Sequence, residues 1–417
     1  VINPDGSEKT MVYDGEGNLI ETTNEIGARA TAKYTVFNMI SAVTDVDGGV
    51  TRYAYNTQME RVAITNADGH TWRFEHDLDG VVVKETDYSG QVTEIRQSVD
   101  GLRVDTIKGD DTVTSIYNDS GWLIERREVD DIVRFTRGKN GELIQVTNKW
   151  STVDYALDEY GRALSETVTL YSGEKTEVNL SYNAEGVMDK VTQVLPGGYM
   201  ISEVPSYNEH GELHQLSQFI HENELIATTF GMDEVGRRSW ASSDAVVRRF
   251  TFDERDRVLT DITKKLDGHD FVSNVVGRAF SWRADNALLQ VADDIQGVTE
   301  YSVDKAGRAT SINHSDVGQK QKMLEIYEFS LAGMLTKLHP DDTQRWAEDV
   351  EAYATKLRRI GRTTFTYDNA GSNVVVGLGY TDNDMLRVSK MELVGKRVMA
   401  DTKLDLTKKT FEVFALN

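Results

Sequence analysis

Trp72, Phe74 and His76 fall on one parity of the chain, and Arg73 and Glu75 on the other; Val81 and Val83 oppose Val82 and Lys84 in the same way. Period-two alternation of aromatic and β-branched residues with polar ones predicts antiparallel strands rather than helices. The pattern repeats. Residues 52–90 align on themselves at a shift of 21, which lays Tyr53 over Phe74, Val62 over Val83, Thr65 over Thr86 and Gly69 over Gly90.

Turn residues separate the strands. Tyr13-Asp14-Gly15-Glu16-Gly17 places a carboxylate first and a glycine fourth in a type I turn, where Gly accepts the positive φ that closes a bulged hairpin. The same spacing recurs at Asp77 and Gly80, Asn118 and Gly121, Asp158 and Gly161, and Asn183 and Gly186. It continues at Asn208 and Gly211, Asp233 and Gly236, Asp304 and Gly307, and Asp368 and Gly371. Ser330 to Gly333 is a variant that starts on serine, and Asp253 to Asp256 puts aspartate where glycine is usual. A second turn falls half a repeat later, in TDVDG from Thr44, TNADG from Thr65, TDYSG from Thr86 and DDIQG ending at Gly297.

About six or seven residues lie between turns, which is strand length. The unit is therefore a β-hairpin joined to the next by another hairpin, a long meander with these turn residues in a structural role. Tyr13, Tyr55, Phe74, Tyr117, Tyr155, Tyr182, Tyr207 and Tyr367 fall at equivalent places, so they are expected to pack and stack along the sheet. One stretch breaks the pattern. Trp346, Val350, Tyr353 and Leu357 form a helical stripe between Pro340 and Gly361, predicting one short inserted helix near 342–358.

Composition changes the picture little. The 417 residues are 39% hydrophobic, with 33 Gly against 4 Pro, which suits many tight turns. The net charge of −22 argues against a nucleic-acid surface, which needs clustered Lys and Arg. No apolar run reaches the roughly 20 residues of a membrane helix. There is no cysteine, hence no disulfide, thiolate metal site or cysteine nucleophile. The opening VINPDGSEKT lacks the features of a signal peptide, so the sequence is expected to start inside a longer precursor.

The array of Tyr-Asp-x-x-Gly-x-Leu turns, seen in YDGEGNLIETTN, YNDSGWLIERRE, YNAEGVMDKVTQ, YNEHGELHQLSQ and YDNAGSNVVV, resembles the YD repeat of the Rhs family. That family includes polymorphic toxins, the BC component of toxin complexes, wall-associated proteins and teneurins. The resemblance spans residues 1–390 as one repeat domain, with 391–417 a degenerate C-terminal segment. It implies an all-β fold in which tandem hairpins form a wide curling antiparallel sheet, part of a hollow shell. About 16 hairpins, or roughly 32 strands at ~4.8 Å each, make a ribbon on the order of 150 Å long and, bent once round, a ring about 50 Å across.

The implied function is a non-catalytic encapsulating scaffold of a secreted, extracellular polymorphic toxin, exported by type VI secretion, toxin-complex injection or cell-surface display. Its expected partners are a C-terminal toxin or other cargo chain and a secretion-apparatus protein. The family's cleavage motif, Asp-Pro-x-Gly-Leu, is absent; HPDDTQRW from His339 puts Pro before Asp, so no catalytic role passes to Asp341 or Asp342.

The remaining chemistry is sparse. His210, His214 and His221 lie near Glu222 and Glu224, but on a turn and a following strand rather than in a metal-ligand spacing. Asp45, Asp47, Asp87, Asp110 and Asp111 do not form a calcium loop. No nucleophile elbow, phosphate loop or zinc-protease motif occurs, so no enzyme, metal or cofactor is expected. An adhesion or carbohydrate-binding module is the alternative, with Trp122, Trp150 or Trp240 as candidate sugar platforms.

Overall fold

The structure, a computed structural model, describes residues 1–267, 270–318, 322–339, 348–353, 356–360, 363–367, 373–378, 391–394 and 397–400. Thirty-six strands are described, from β1 (Thr10–Tyr13) to β36 (Arg397–Ala400), and no helix lies among the described residues. Each strand pairs antiparallel with its neighbours in the chain, as β1 does with β2 (Leu19–Thr23) and β35 (Met391–Val394) with β36. The sheet is a single meander that does not close into a barrel, because β1 pairs only with β2.

The YD turns make the hairpins. Asp14 N–H donates to Asn18 O at 2.9 Å and Gly17 N–H to Asp14 O at 3.2 Å. Asp14 Oδ1 accepts from the N–H groups of Glu16 and Asn18 at 2.9 and 2.8 Å. Gly17 closes the loop at φ 87°, and the register slips between Val12 and Tyr13 in a β-bulge. Asp158, Asn183, Asn208, Asp233 and Asp304 accept the same pair of N–H groups. Asp368 and Gly371 lie outside the described residues.

Where the closing residue is not glycine, it still takes positive φ: Asp256 at 62° and Met59 at 67°. Methionine lacks the short polar side chain with which Asn and Asp offset that conformation by local hydrogen bonds. Met59→Gly should therefore stabilise the fold by about 0.5–1 kcal/mol, read as a raised melting temperature.

A meander places alternate loops on opposite edges. Loops after odd-numbered strands, which carry the YD turns, line one edge, here the odd edge; loops after even-numbered strands line the even edge. The two faces differ as well. On β7 (Thr71–His76) Trp72, Phe74 and His76 are half-buried while Arg73 and Glu75 are exposed, and β27 (Gly297–Val303) alternates likewise.

Among the described residues no second layer covers either face. Ala28, Val247 and Val350 are the only buried apolar residues among those described. The accessible surface is 27,729 Å², against about 16,000 Å² for a globular chain of this mass. The polypeptide is a wall, held chiefly by its backbone ladder.

One expectation is overturned. Within 342–358, residues 348–353 and 356–360 form strands β31 (Glu348–Tyr353) and β32 (Lys356–Ile360), paired through Tyr353 and Lys356; residues 340–347 lie outside the described set. The apolar stripe is split by a hairpin. Lys337 and Leu338 at the open side of β30 (Leu335–His339) pair with Asp349 and Glu348, so an unpaired ladder overrides a weak helical period.

Candidate functional site

The odd edge carries a device beyond its turns. In DEYGR, DEVGR and DKAGR an arginine follows the turn glycine, and its Nε donates back to the turn aspartate. The pairs are Arg162 to Asp158 at 2.6 Å, Arg237 to Asp233 at 2.7 Å and Arg308 to Asp304 at 2.7 Å. Arg257 repeats this with Asp253 at 2.6 Å.

The guanidinium then covers the aromatic ring of the next repeat. Arg162 lies 4.4 Å over Tyr182, Arg237 4.8 Å over Phe252 and Arg308 5.0 Å over Phe329. Each such contact contributes about 0.5–1 kcal/mol where water has access. At Tyr182, Phe252 and Phe329 the repeat aromatic thus meets an arginine, whereas Phe74 stacks on Trp72 at 5.7 Å. The tyrosine tips are also used: Tyr34, Tyr55 and Tyr182 donate to the first carbonyl of the preceding strand, those of Leu19, Ile40 and Ala163, each at 2.9 Å. Sequence reading missed the arginine, although its recurrence directly after the glycine was visible.

The ribbon coils back on itself. Arg255 reaches Glu25 at 3.2 Å and Asp5 at 3.7 Å, and Arg257 reaches Asp5 at 3.6 Å. Arg308 pairs with Asp47. Ser330 Oγ and the Ala332 N–H donate to Asp68 at 2.6 and 3.2 Å. The ring of Tyr353 meets that of His70 edge-on at 5.5 Å.

The loop of Asp47 and the loop of Arg308 are separated by 23 strands, β5 (Val50–Tyr55) to β27. The loops of Asp68 and Ser330 are separated by the same number, β7 to β29 (Lys322–Phe329). An odd count is what stacking requires, because it brings the even edge of one turn against the odd edge of the next. At ~4.8 Å per strand, 23 strands make a circumference near 110 Å and a width of about 35 Å. The coil is narrower than a single ring of all the strands, and it passes beyond one full turn.

Acceptors sit on the first turn and donors on the second. Asp5, Asp47 and Asp68 are each the third residue of an Asx-x-Asp-Gly turn. A hydrogen bond from the Ser7 hydroxyl holds the Asp5 carboxyl below its ordinary range, with Arg255 and Arg257 adding to this against some burial. Glu25 is lowered first by its own backbone N–H, then by Asn3 and Arg255. At Gly49 a Cβ would lie 2.5 Å from the Leu331 carbonyl, so only glycine admits this approach of the two turns.

The charged face bears cross-strand pairs, such as Glu75 with Lys84 at 2.7 Å and Glu125 with Arg134 at 2.9 Å. Across β23 (Val246–Phe252) to β26 (Leu288–Asp293), Arg248 grips Asp261 through two bonds of 2.7 Å, and Arg278 bonds Asp293 at 2.7 Å. Asp261 is buried. Asp261→Ala should leave Arg248 without its partner and cost about 1–3 kcal/mol, measured by urea melts.

His210 and His221 lie at opposite ends of the strand that holds His214, Leu213–Ile220, and His221 packs against Tyr199. Among the described residues no group of three or more His, Asp or Glu converges to hold a metal ion. Trp122 lies over Gly141 and Trp240 over Gly231, whereas Trp150 is 57% exposed. No helix among the described residues is long and apolar enough to cross a membrane.

No family model matches this chain, and no curated protein matches it either. Solved structures do. The TcdB2-TccC3 protein without its hypervariable C-terminal region is 12% identical, with a TM-score of 0.69 over 94% of this chain and 25% of that one. A Photorhabdus luminescens Tc holotoxin pore matches at 12% identity and TM-score 0.65, over 93% of this chain and 26% of that one. A second structure, of TcdB2-TccC3, matches at 11% identity and TM-score 0.58, over 94% of this chain and 26% of that one. The fold is shared with the toxin-complex structures, and this chain spans about a quarter of their length.

Proposed function

We propose that this chain is a wall segment of an Rhs-type toxin container, a scaffold that encloses a cargo polypeptide until delivery outside the producing cell. One observation carries this reading: a single-layer ribbon coils with a 23-strand turn and leaves both faces without a core. A width of about 35 Å is more than side chains can fill, so the coil surrounds space. The mechanism is steric. A wall excludes proteases and cellular targets, and its close-set charged and half-buried aromatic faces offer many weak contacts to an unfolded chain. The likeness to TcdB2-TccC3 supports the fold, and the YD turns support the role.

Enclosure is tested by expressing the chain with a polypeptide fused after Asn417. Protease should spare the fused segment in the intact protein and digest it once the seam is broken. A segment digested at the same rate in both forms rejects the container.

Glycan binding keeps one foothold, because Trp150 is more than half exposed. On that reading Trp150→Ala abolishes binding on a glycan array; Trp122 and Trp240, packed on glycines, offer no open platform.

A further inference from the structure

Among the described residues the seam covers the first few loops of the even edge. Beyond it, three successive even-edge loops present Val129, Trp150 and Tyr171 at steps of 21 residues, all more than half exposed, Tyr171 at 91%. On the odd edge, four successive loops early in the first turn present Phe37, Met59, Leu78 and Val99, again more than half exposed, Leu78 at 97%. Adjacent loops on one edge are two strands apart, about 9.6 Å, so both rows run on the same pitch. Turn tips usually carry polar residues, and a row of large apolar tips marks a contact surface.

From these rows we infer that a second copy of this chain docks head to tail, the odd edge of one copy seated on the even edge of the other. The intramolecular seam already shows that odd edges seat on even edges, and the new contact continues that interface around the same circumference. Both partners are present in every copy, and the two rows match in spacing and in apolar character. Stacked copies would lengthen the coil and close more of its height. This deepens the container reading and rests on it.

Seven tips bury on the order of several hundred Å², less than the roughly 1,200 Å² of stable interfaces, so association is weak and grows with concentration. The contact is heterologous: each copy has one free edge of each kind, and nothing limits the stack to two.

Sedimentation velocity on the full chain reads this directly. The unmodified chain should move from monomer to larger species as its concentration approaches about 100 µM. Leu78→Asp with Val99→Asp disables the odd edge, and Trp150→Asp with Tyr171→Asp disables the even edge. Each variant alone should remain monomeric, with an unchanged melting temperature because these tips touch solvent. Mixed, they should form a dimer and stop there, since each retains the edge the other lacks. A monomeric unmodified chain, or association that survives both pairs of changes, overturns the proposal. Protease protection of a fused cargo is a separate readout, so stacking can fail while enclosure holds.

Discussion

A short bismaleimide should join Asp68→Cys to Ser330→Cys in nearly every molecule and raise stability by on the order of 5 kcal/mol, the scale for closing a loop of 100 residues or more. The sequence has no native cysteine to compete, and the two side chains bond at 2.6 Å across the seam although they are 262 positions apart. Cross-linking reports the turn itself: Asp68 meets Ser330 only if 23 strands complete one circuit. Moving the second cysteine to Asp304 or Asp253, on other odd-edge loops, should abolish the product. Equal cross-linking at all three positions would mean a loose ribbon with no fixed register. The joined form also gives the container hypothesis its strongest test, because a seam that cannot part should hold a fused cargo through a denaturant step that releases it from the open form.

Much of this architecture was legible locally. Asp14 and Gly17 specify their own hairpin through hydrogen bonds no more than four residues apart, and each later copy repeats the same short-range chemistry. Period two along β7 specifies which side chains share a face. The circuit was not legible. Its length depends on twist and coiling accumulated over many strands, and no single residue carries that quantity. Asp5, Asp47 and Asp68 read as ordinary turn residues until the loops of Arg255, Arg308 and Ser330 are brought over them. The arginine after the turn glycine was visible in DEYGR and DKAGR, yet its use required a ring from the next repeat. The helical stripe from Trp346 to Leu357 misled for a related reason: the free ladder of a neighbouring strand outweighs local periodicity.

Acid should open the seam before it dissolves the sheet. Hydrogen bonds to Asp5 and Glu25, together with Arg255, hold both carboxyls below their ordinary values of 3.8 and 4.5. A folded-state value below the unfolded one means that the unfolded chain binds protons more readily at low pH. The stabilisation is therefore complete above the ordinary carboxylate range and lost as pH falls through the lowered values, below about pH 4. The turns follow the same sign. At Asp304 burial alone would raise the carboxyl, but the backbone N–H and guanidinium of Arg308 outweigh it and leave it lowered. Backbone ladder bonds do not titrate, so between pH 4 and 3 the far-ultraviolet strand signal should persist while the radius of gyration grows. Salt at about 1 M should weaken the ion pairs at neutral pH in part, because screening acts at about 3 Å there while the Ser330 hydrogen bond is uncharged on one side. A radius of gyration that stays constant down to pH 3, or that grows already at pH 6, would show that something other than these carboxylates fastens one turn to the next.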